Sequence, residues 1–286
     1  MAREINKFER SGNGMAIYSH INAELFQMID AENIRTIFFA YDKDWANATY
    51  PNENDVKLLN SFFKTHKYIT MDIEKNWMIQ LLPEVECFRF SKYNGEAIEL
   101  LKKNIVRKLH FNHSADIRTD LTDLLPFGDT LEHLYLDASQ YKPHYKFEAM
   151  LNGMKKLKYL YVSSIKIDFS LVDENSTIED FYFYGSKTKD WSGIEKFTRL
   201  KNLRVKNNTT MSGLGFLQNL PCLETAEFWW CSRIVQFPDL SHLVNLKKIH
   251  AFECNRLEDV EELKKLSGVE IHVQGKVLAD KSFKTE

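Results

Sequence analysis

His110, His113 and His133 are the side chains in this sequence that most resemble the start of a reactive cluster. Imidazole is a common metal ligand, and Asp137 is the nearest carboxylate that could complete such a set. No Cys or second acid stands at a convincing ligand spacing, and His250 and His272 align less well still. We therefore expect no metal site. Cys231 and Cys254 could be read as a dithiol, and Gly213-Leu-Gly215 as a fragment of a phosphate loop. The glycines do not sit between a strand and a helix, as phosphate binding needs. No H-E-x-x-H, Walker or G-x-S-x-G arrangement occurs, so no catalytic residue and no cofactor are expected.

Composition narrows the classes further. The 286 residues carry 38 Lys plus Arg against 40 Asp plus Glu, a net charge of -2. Such a chain has no basic footprint for nucleic acid. The first residues lack the apolar core of a signal peptide, and no run is long enough to span a bilayer. Four cysteines without framework spacing suit reduced thiols. The expectation is a cytoplasmic protein with no membrane or nucleic-acid partner.

The elements that would position these residues come from a repeat. The phrase apolar-x-x-apolar-x-apolar recurs as Leu131…Leu134-Tyr-Leu136, Leu157…Leu160-Tyr-Val162, Ile178…Phe181-Tyr-Phe183, Leu200…Leu203-Arg-Val205, Leu223…Ala226-Glu-Phe228 and Leu246…Ile249-His-Ala251. Weaker copies start at Ile34, Val85, Val106 and Leu266, with a doubtful one near His66. From 85 onward the starts are 20 to 26 residues apart. After the phrase, apolar residues recur every third position, as in Met211, Leu214, Leu217, Leu220 and Leu223. A period of three suits a wound return path of turns and 3₁₀ pieces.

A chain with this repeat resembles the leucine-rich-repeat family, closest to its short, cytosolic, roughly 22-residue type. The resemblance covers about residues 34–275 and is clearest after 130. It implies an α/β repeat fold: a curved solenoid with a parallel concave β-sheet and an irregular or helical convex side. Residues 1–33 would cap it, with a helix from Ala23 to Asp30, and 276–286 would form a tail. A second early helix is expected around Val56, Leu59, Phe62 and Phe63. The family also places Asn or Cys eight residues after each start, to satisfy turn carbonyls. Here that column holds Ser114, Ser139, Ser186, Asn208, Cys231 and Cys254, broken by Ile165.

Strand alternation sends positions 1, 4 and 6 of the phrase inward and positions 3, 5 and 7 to the open face. That face would carry Tyr135, Tyr159, Tyr161, Tyr182 and Tyr184, then Trp229 and Phe252, with Arg89, Arg204 and Glu227 around them. Tyr, Trp and Arg are enriched at binding hot spots. The expected function is therefore a non-enzymatic module that binds a protein partner on its concave face. The resemblance points to bacterial immunity proteins that neutralise a toxin. The alternatives are an adaptor or phosphatase regulator, and an enzyme with a histidine or metal site on that face.

Overall fold

The computed structural model describes residues 8–18, 20–39, 51–91, 93–112, 120–137, 146–174, 177–274 and 282–284. His113, Ser114, Ser139 and most of the expected tail lie outside the described residues. The chain packs as two compact units, residues 1–112 and 113–286.

The first unit opens with a hairpin of β1 (Phe8–Ser11) and β2 (Gly14–Ile17). Gly12 sits in its two-residue turn at φ +62, where a side chain would be strained. β2 already belongs to the parallel stack, pairing with β3 (Thr36–Phe39). β4 (Thr70–Ile73), β5 (Cys87–Phe90) and β6 (Lys108–Phe111) follow in parallel. Among the described residues, four helices run between these strands. α1 (Ala23–Ala31) is capped by Asn22 and buries Leu25 and Ile29. α2 (Glu53–Phe63) starts with a reciprocal capping box between Asn52 and Asp55 and buries Leu59, Phe62 and Phe63. α3 (Trp77–Leu81) and α4 (Gly95–Leu101) are shorter.

The second unit stacks seven parallel strands: β7 (His133–Asp137), β8 (Tyr159–Ser163), β9 (Asp180–Tyr184), β10 (Asn202–Lys206), β11 (Thr225–Trp229), β12 (Lys248–Phe252) and β13 (Glu270–Gln274). β14 (Ser282–Lys284) pairs antiparallel with β13 and covers the row of backbone groups it would otherwise expose. The return paths are α5 (Phe147–Asn152), α6 (Glu261–Lys264) and 3₁₀ turns at Leu121–Phe127, Phe169–Leu171, Ile194–Lys196 and Gly215–Asn219. The apolar positions every third residue, Met211 to Leu223 and Ile234 to Leu246, are all buried.

The turn after each strand has a fixed design. The eighth residue of the phrase takes a left-handed backbone: Ser164, Gly185, Asn207, Trp230 and Glu253 all have positive φ. Four of them donate the backbone N–H to a carbonyl of the next strand, Ser164 to Tyr184, Gly185 to Lys206, Asn207 to Trp229 and Trp230 to Phe252. The ninth residue turns inward. Asn208 is fully buried; its Nδ2 donates to the Thr188 carbonyl at 3.2 Å, while its Oδ1 accepts from the Thr210 and Met211 amides. Cys231 and Cys254 are buried likewise, their thiols facing the Val205 and Phe228 carbonyls of the preceding repeat. Where the column breaks at Ile165, Thr188 from the next repeat takes over, its hydroxyl accepting from the Ile167 amide at 2.9 Å. All four cysteines are free.

Two strand registers differ from the expected phrase. β4 pairs as if its phrase began at Tyr68, two residues after His66, with Ile69 buried in place of the exposed Tyr68. In β13, His272 rather than Glu270 is the register partner of His250. The last phrase thus starts two residues after Leu266.

Candidate functional site

On β7–β13 the residues at positions 3, 5 and 7 form three columns across the open face of the second unit. Position 5 reads Tyr135, Tyr161, Tyr182, Arg204, Glu227, His250 and His272 along the stack. Each lies beside its neighbour because parallel pairing sets register partners on adjacent strands.

The tyrosines meet as the alternation requires. Tyr135 and Tyr161 stack face to face, ring centroids 3.8 Å apart. Tyr159 tilts against Tyr182 at 5.2 Å and against His133 at 5.6 Å. Tyr184 stands more open, 40% exposed. The Arg204 guanidinium lies 4.9 Å from the Tyr182 ring centre, within cation–π range. Together with Lys206 these rings line a depression of about 410 Å³. Burial, with Tyr182, Tyr135 and Asp180 alongside, pushes the Tyr159 hydroxyl up to about 12. Burial and a hydrogen bond with the Tyr135 hydroxyl raise Tyr161 as well. These phenols therefore stay neutral, acting as hydrogen-bonding, apolar-bodied contacts rather than as bases.

Further along, Lys206 Nζ sits 4.1 Å from the Trp229 ring centre, and Trp229 packs on Phe252 at 4.7 Å. The Trp229 indole N–H is buried without a hydrogen-bond partner among the described residues. Trp230, edge-on to Trp229 at 5.9 Å, remains 48% exposed. It is the most open aromatic of this group.

Glu227 takes a different place from the rim position expected. It is 4% exposed. Arg204 Nε donates to its Oε2, and Lys248 Nζ lies 3.5 Å from its Oε1. Burial opposes its charge, but the Arg204 hydrogen bond and the neighbouring cations outweigh it and hold the carboxyl below its usual range. Arg204, Glu227 and Lys248 thus form an ion cluster within the sheet face, alongside the Trp–Phe group on β11 and β12. Arg89 lies on β5 in the first unit, 3.6 Å from Asp72. With the Asn112 amide oriented to satisfy its neighbours, Arg89 also donates to Asn112, which in turn donates to His110.

Of the suspected histidine trio, His110 lies on β6 of the first unit and His133 on β7 of the second, while His113 falls outside the described residues. β12 and β13 bring His250, Glu270 and His272 together, both Nε2 atoms near Glu270 Oε1 at 3.2 and 3.1 Å. A larger hollow of about 540 Å³ opens on the return-path side near Asn152, Lys155 and Asp173. Its lining holds no aromatic side chain, whereas the sheet face concentrates Tyr, Trp and Arg, the residue types enriched at binding hot spots. Among the described residues no helix is long and apolar enough to cross a membrane.

No protein-family model and no curated protein matches the chain. Solved structures do. An internalin of Listeria monocytogenes superposes with a TM-score of 0.52 at 17% identity, over 72% of this chain and 58% of that one. The chain thus spans less than two thirds of that internalin's length. Internalin C2 of the same organism matches at TM-score 0.39 and 17% identity, covering 77% of this chain and 91% of its own. A leucine-rich-repeat protein of Leptospira interrogans matches at 0.38 and 13%, over 72% of each chain. The superposition on the first internalin agrees with the repeat and the parallel stack, and by its fold this chain is a leucine-rich-repeat solenoid.

Proposed function

We propose that this protein is a binding module that holds a protein partner on the open face of β7–β13. One observation carries the reading. Trp230 keeps a large ring 48% exposed on a left-handed backbone at φ 55, next to Trp229 and Phe252. Cross-strand packing accounts for the Tyr135–Tyr161 stack, since strands favour such pairs. It gives no reason to place a bulky side chain where the backbone is strained and the ring half open to water. A partner that covers the ring supplies one.

The rest of the face suits that role. Tyr135 is already held by Tyr161, and Tyr159 by Tyr182, so these four lose little rotamer freedom on binding. Each aromatic side chain can bury about 150–250 Å², and a partner surface needs about 800 Å². Stacking covers part of each ring in advance, so Trp229, Trp230 and Phe252 must add to the tyrosines. Arg204 brings orientation from beside Tyr182. In its finer form the proposal is a single tightly bound partner, as for an immunity protein that blocks a toxin, in a cytoplasmic setting that keeps the four thiols reduced.

Affinity capture from the source cells tests this, using the wild type, a Trp229→Ala, Trp230→Ala variant and a Val244→Glu control. Val244 is 90% exposed, away from the strands. The expected result is one stoichiometric protein retained by wild type and control and lost from the tryptophan variant. Several weakly held proteins would favour the adaptor reading, and a captured set indifferent to the tryptophans would overturn the proposal.

A further inference from the structure

At the C-terminal end of the same face, three ligand-type side chains converge. His250 occupies position 5 of β12 and His272 the paired position of β13. Glu270 stands two residues before His272 on the same strand, hence on the same face. His250 Nε2 lies 3.2 Å and His272 Nε2 3.1 Å from the same oxygen, Glu270 Oε1. All three donor atoms lie within 4.8 Å of one another.

We propose that His250, Glu270 and His272 form a binding site for a divalent transition-metal ion, with Zn²⁺ the best fit. Donors at 2.0–2.1 Å from a tetrahedral ion stand about 3.3 Å apart. Two edges of the triangle are already near that length, and a small rotation of either imidazole shortens the third. Two imidazoles and a carboxylate, with no thiolate, select zinc and its neighbours over Mg²⁺ or Ca²⁺, which take oxygen shells. The fold supplies the rigidity: two ligands are register partners on hydrogen-bonded strands, and the third is fixed by alternation. His250 is largely covered, while His272 and Glu270 are 31% and 46% exposed, so an ion has an entry path. Three protein ligands leave a fourth position for water, the arrangement of an open zinc site rather than a closed structural one. The ion would clip β12 to β13.

The sequence hides this site for a definite reason. A phrase starting at Leu266 puts Glu270 at position 5 and His272 at position 7, so the two histidines sit in different columns. Only the observed register brings them side by side.

The test is isothermal titration of Zn²⁺ into the full chain, stripped of metal beforehand, with Co²⁺ spectroscopy as a second readout. The expected result is one saturable ion per chain and a strong visible band of tetrahedral Co²⁺. A His250→Ala, His272→Ala variant should bind at least tenfold more weakly, and Glu270→Gln should also weaken binding. A control lacking His242, a return-path histidine, should bind as wild type does. Zinc should raise the melting temperature of the wild type and not of the double variant. The side chains are on the open face, so circular dichroism should match among all variants. Absence of a saturable site, equal affinity in the double variant, or an octahedral Co²⁺ spectrum would each overturn the proposal. In the first case the cluster is only a carboxylate flanked by two imidazoles.

Discussion

Asn208 has no exposed surface, and four hydrogen bonds meet at its side chain: Nδ2 to the Thr188 carbonyl, and Oδ1 from the Thr210 amide, the Thr210 hydroxyl and the Met211 amide. Asn208→Leu fills the space but leaves buried backbone groups unpaired, and should destabilise the protein by about 1–3 kcal/mol. A denaturation midpoint equal to wild type would refute the ladder's role. Thr188 covering the break at Ile165 shows what the column does, because the first of the turn amides, that of Ile167, is bound from a different position. The tyrosines give a second residue-scale prediction. The Tyr159 hydroxyl is raised from 10.0 to about 12 in the folded protein. The folded state then holds its proton more tightly than the unfolded chain. Its contribution to stability is complete below pH 10 and is lost as the pH rises through 12. Chemical denaturation at stepped pH should show stability falling across that window, and a Tyr159→Phe variant should fall less. Ladder and tyrosine columns were both legible in the sequence, since each rests on residue type at a fixed phase. The burial of Glu227 was not, because an acid at position 5 reads as exposed until Arg204 and Lys248 close over it.

At the scale of the element, the left-handed eighth position matters most. Gly and Asn fill it cheaply at 185 and 207, but Trp230 does not. Trp230→Gly relieves a strain of about 1 kcal/mol, partly offset by the freer unfolded chain. Its denaturation midpoint should equal or exceed that of wild type, while partner affinity falls. A clear loss of stability would mean the ring serves packing rather than recognition. The strands after 130 were legible because strong apolar positions recur in phase. The misplaced registers at β4 and β13 share one cause. A slip of two residues keeps every side chain on its face, so alternation cannot detect it; only a slip of one would reverse the pattern. β2 was missed for another reason. Gly14-Met-Ala-Ile17 has no apolar residue three places before Met15, where Gly12 serves the hairpin turn instead. The Gly12-Asn13 pair was the available signal.

The whole molecule divides its labour between scaffold and face. Repeating apolar positions and the buried ladder hold the strands in parallel, and what they hold is a fixed row of rings on one face of the second unit. Fold alone does not choose a partner, so the claim depends on the tyrosines and tryptophans rather than on the solenoid. The most direct measurement is the affinity of the captured partner for a Tyr161→Ala, Tyr182→Ala variant, with circular dichroism recorded on the same sample. Both side chains lie outside the core, so the spectrum should match wild type. Binding should weaken by about 2 kcal/mol or more, roughly thirtyfold. A variant that keeps its spectrum and binds the partner as tightly as wild type would contradict the assignment of this face as the binding site.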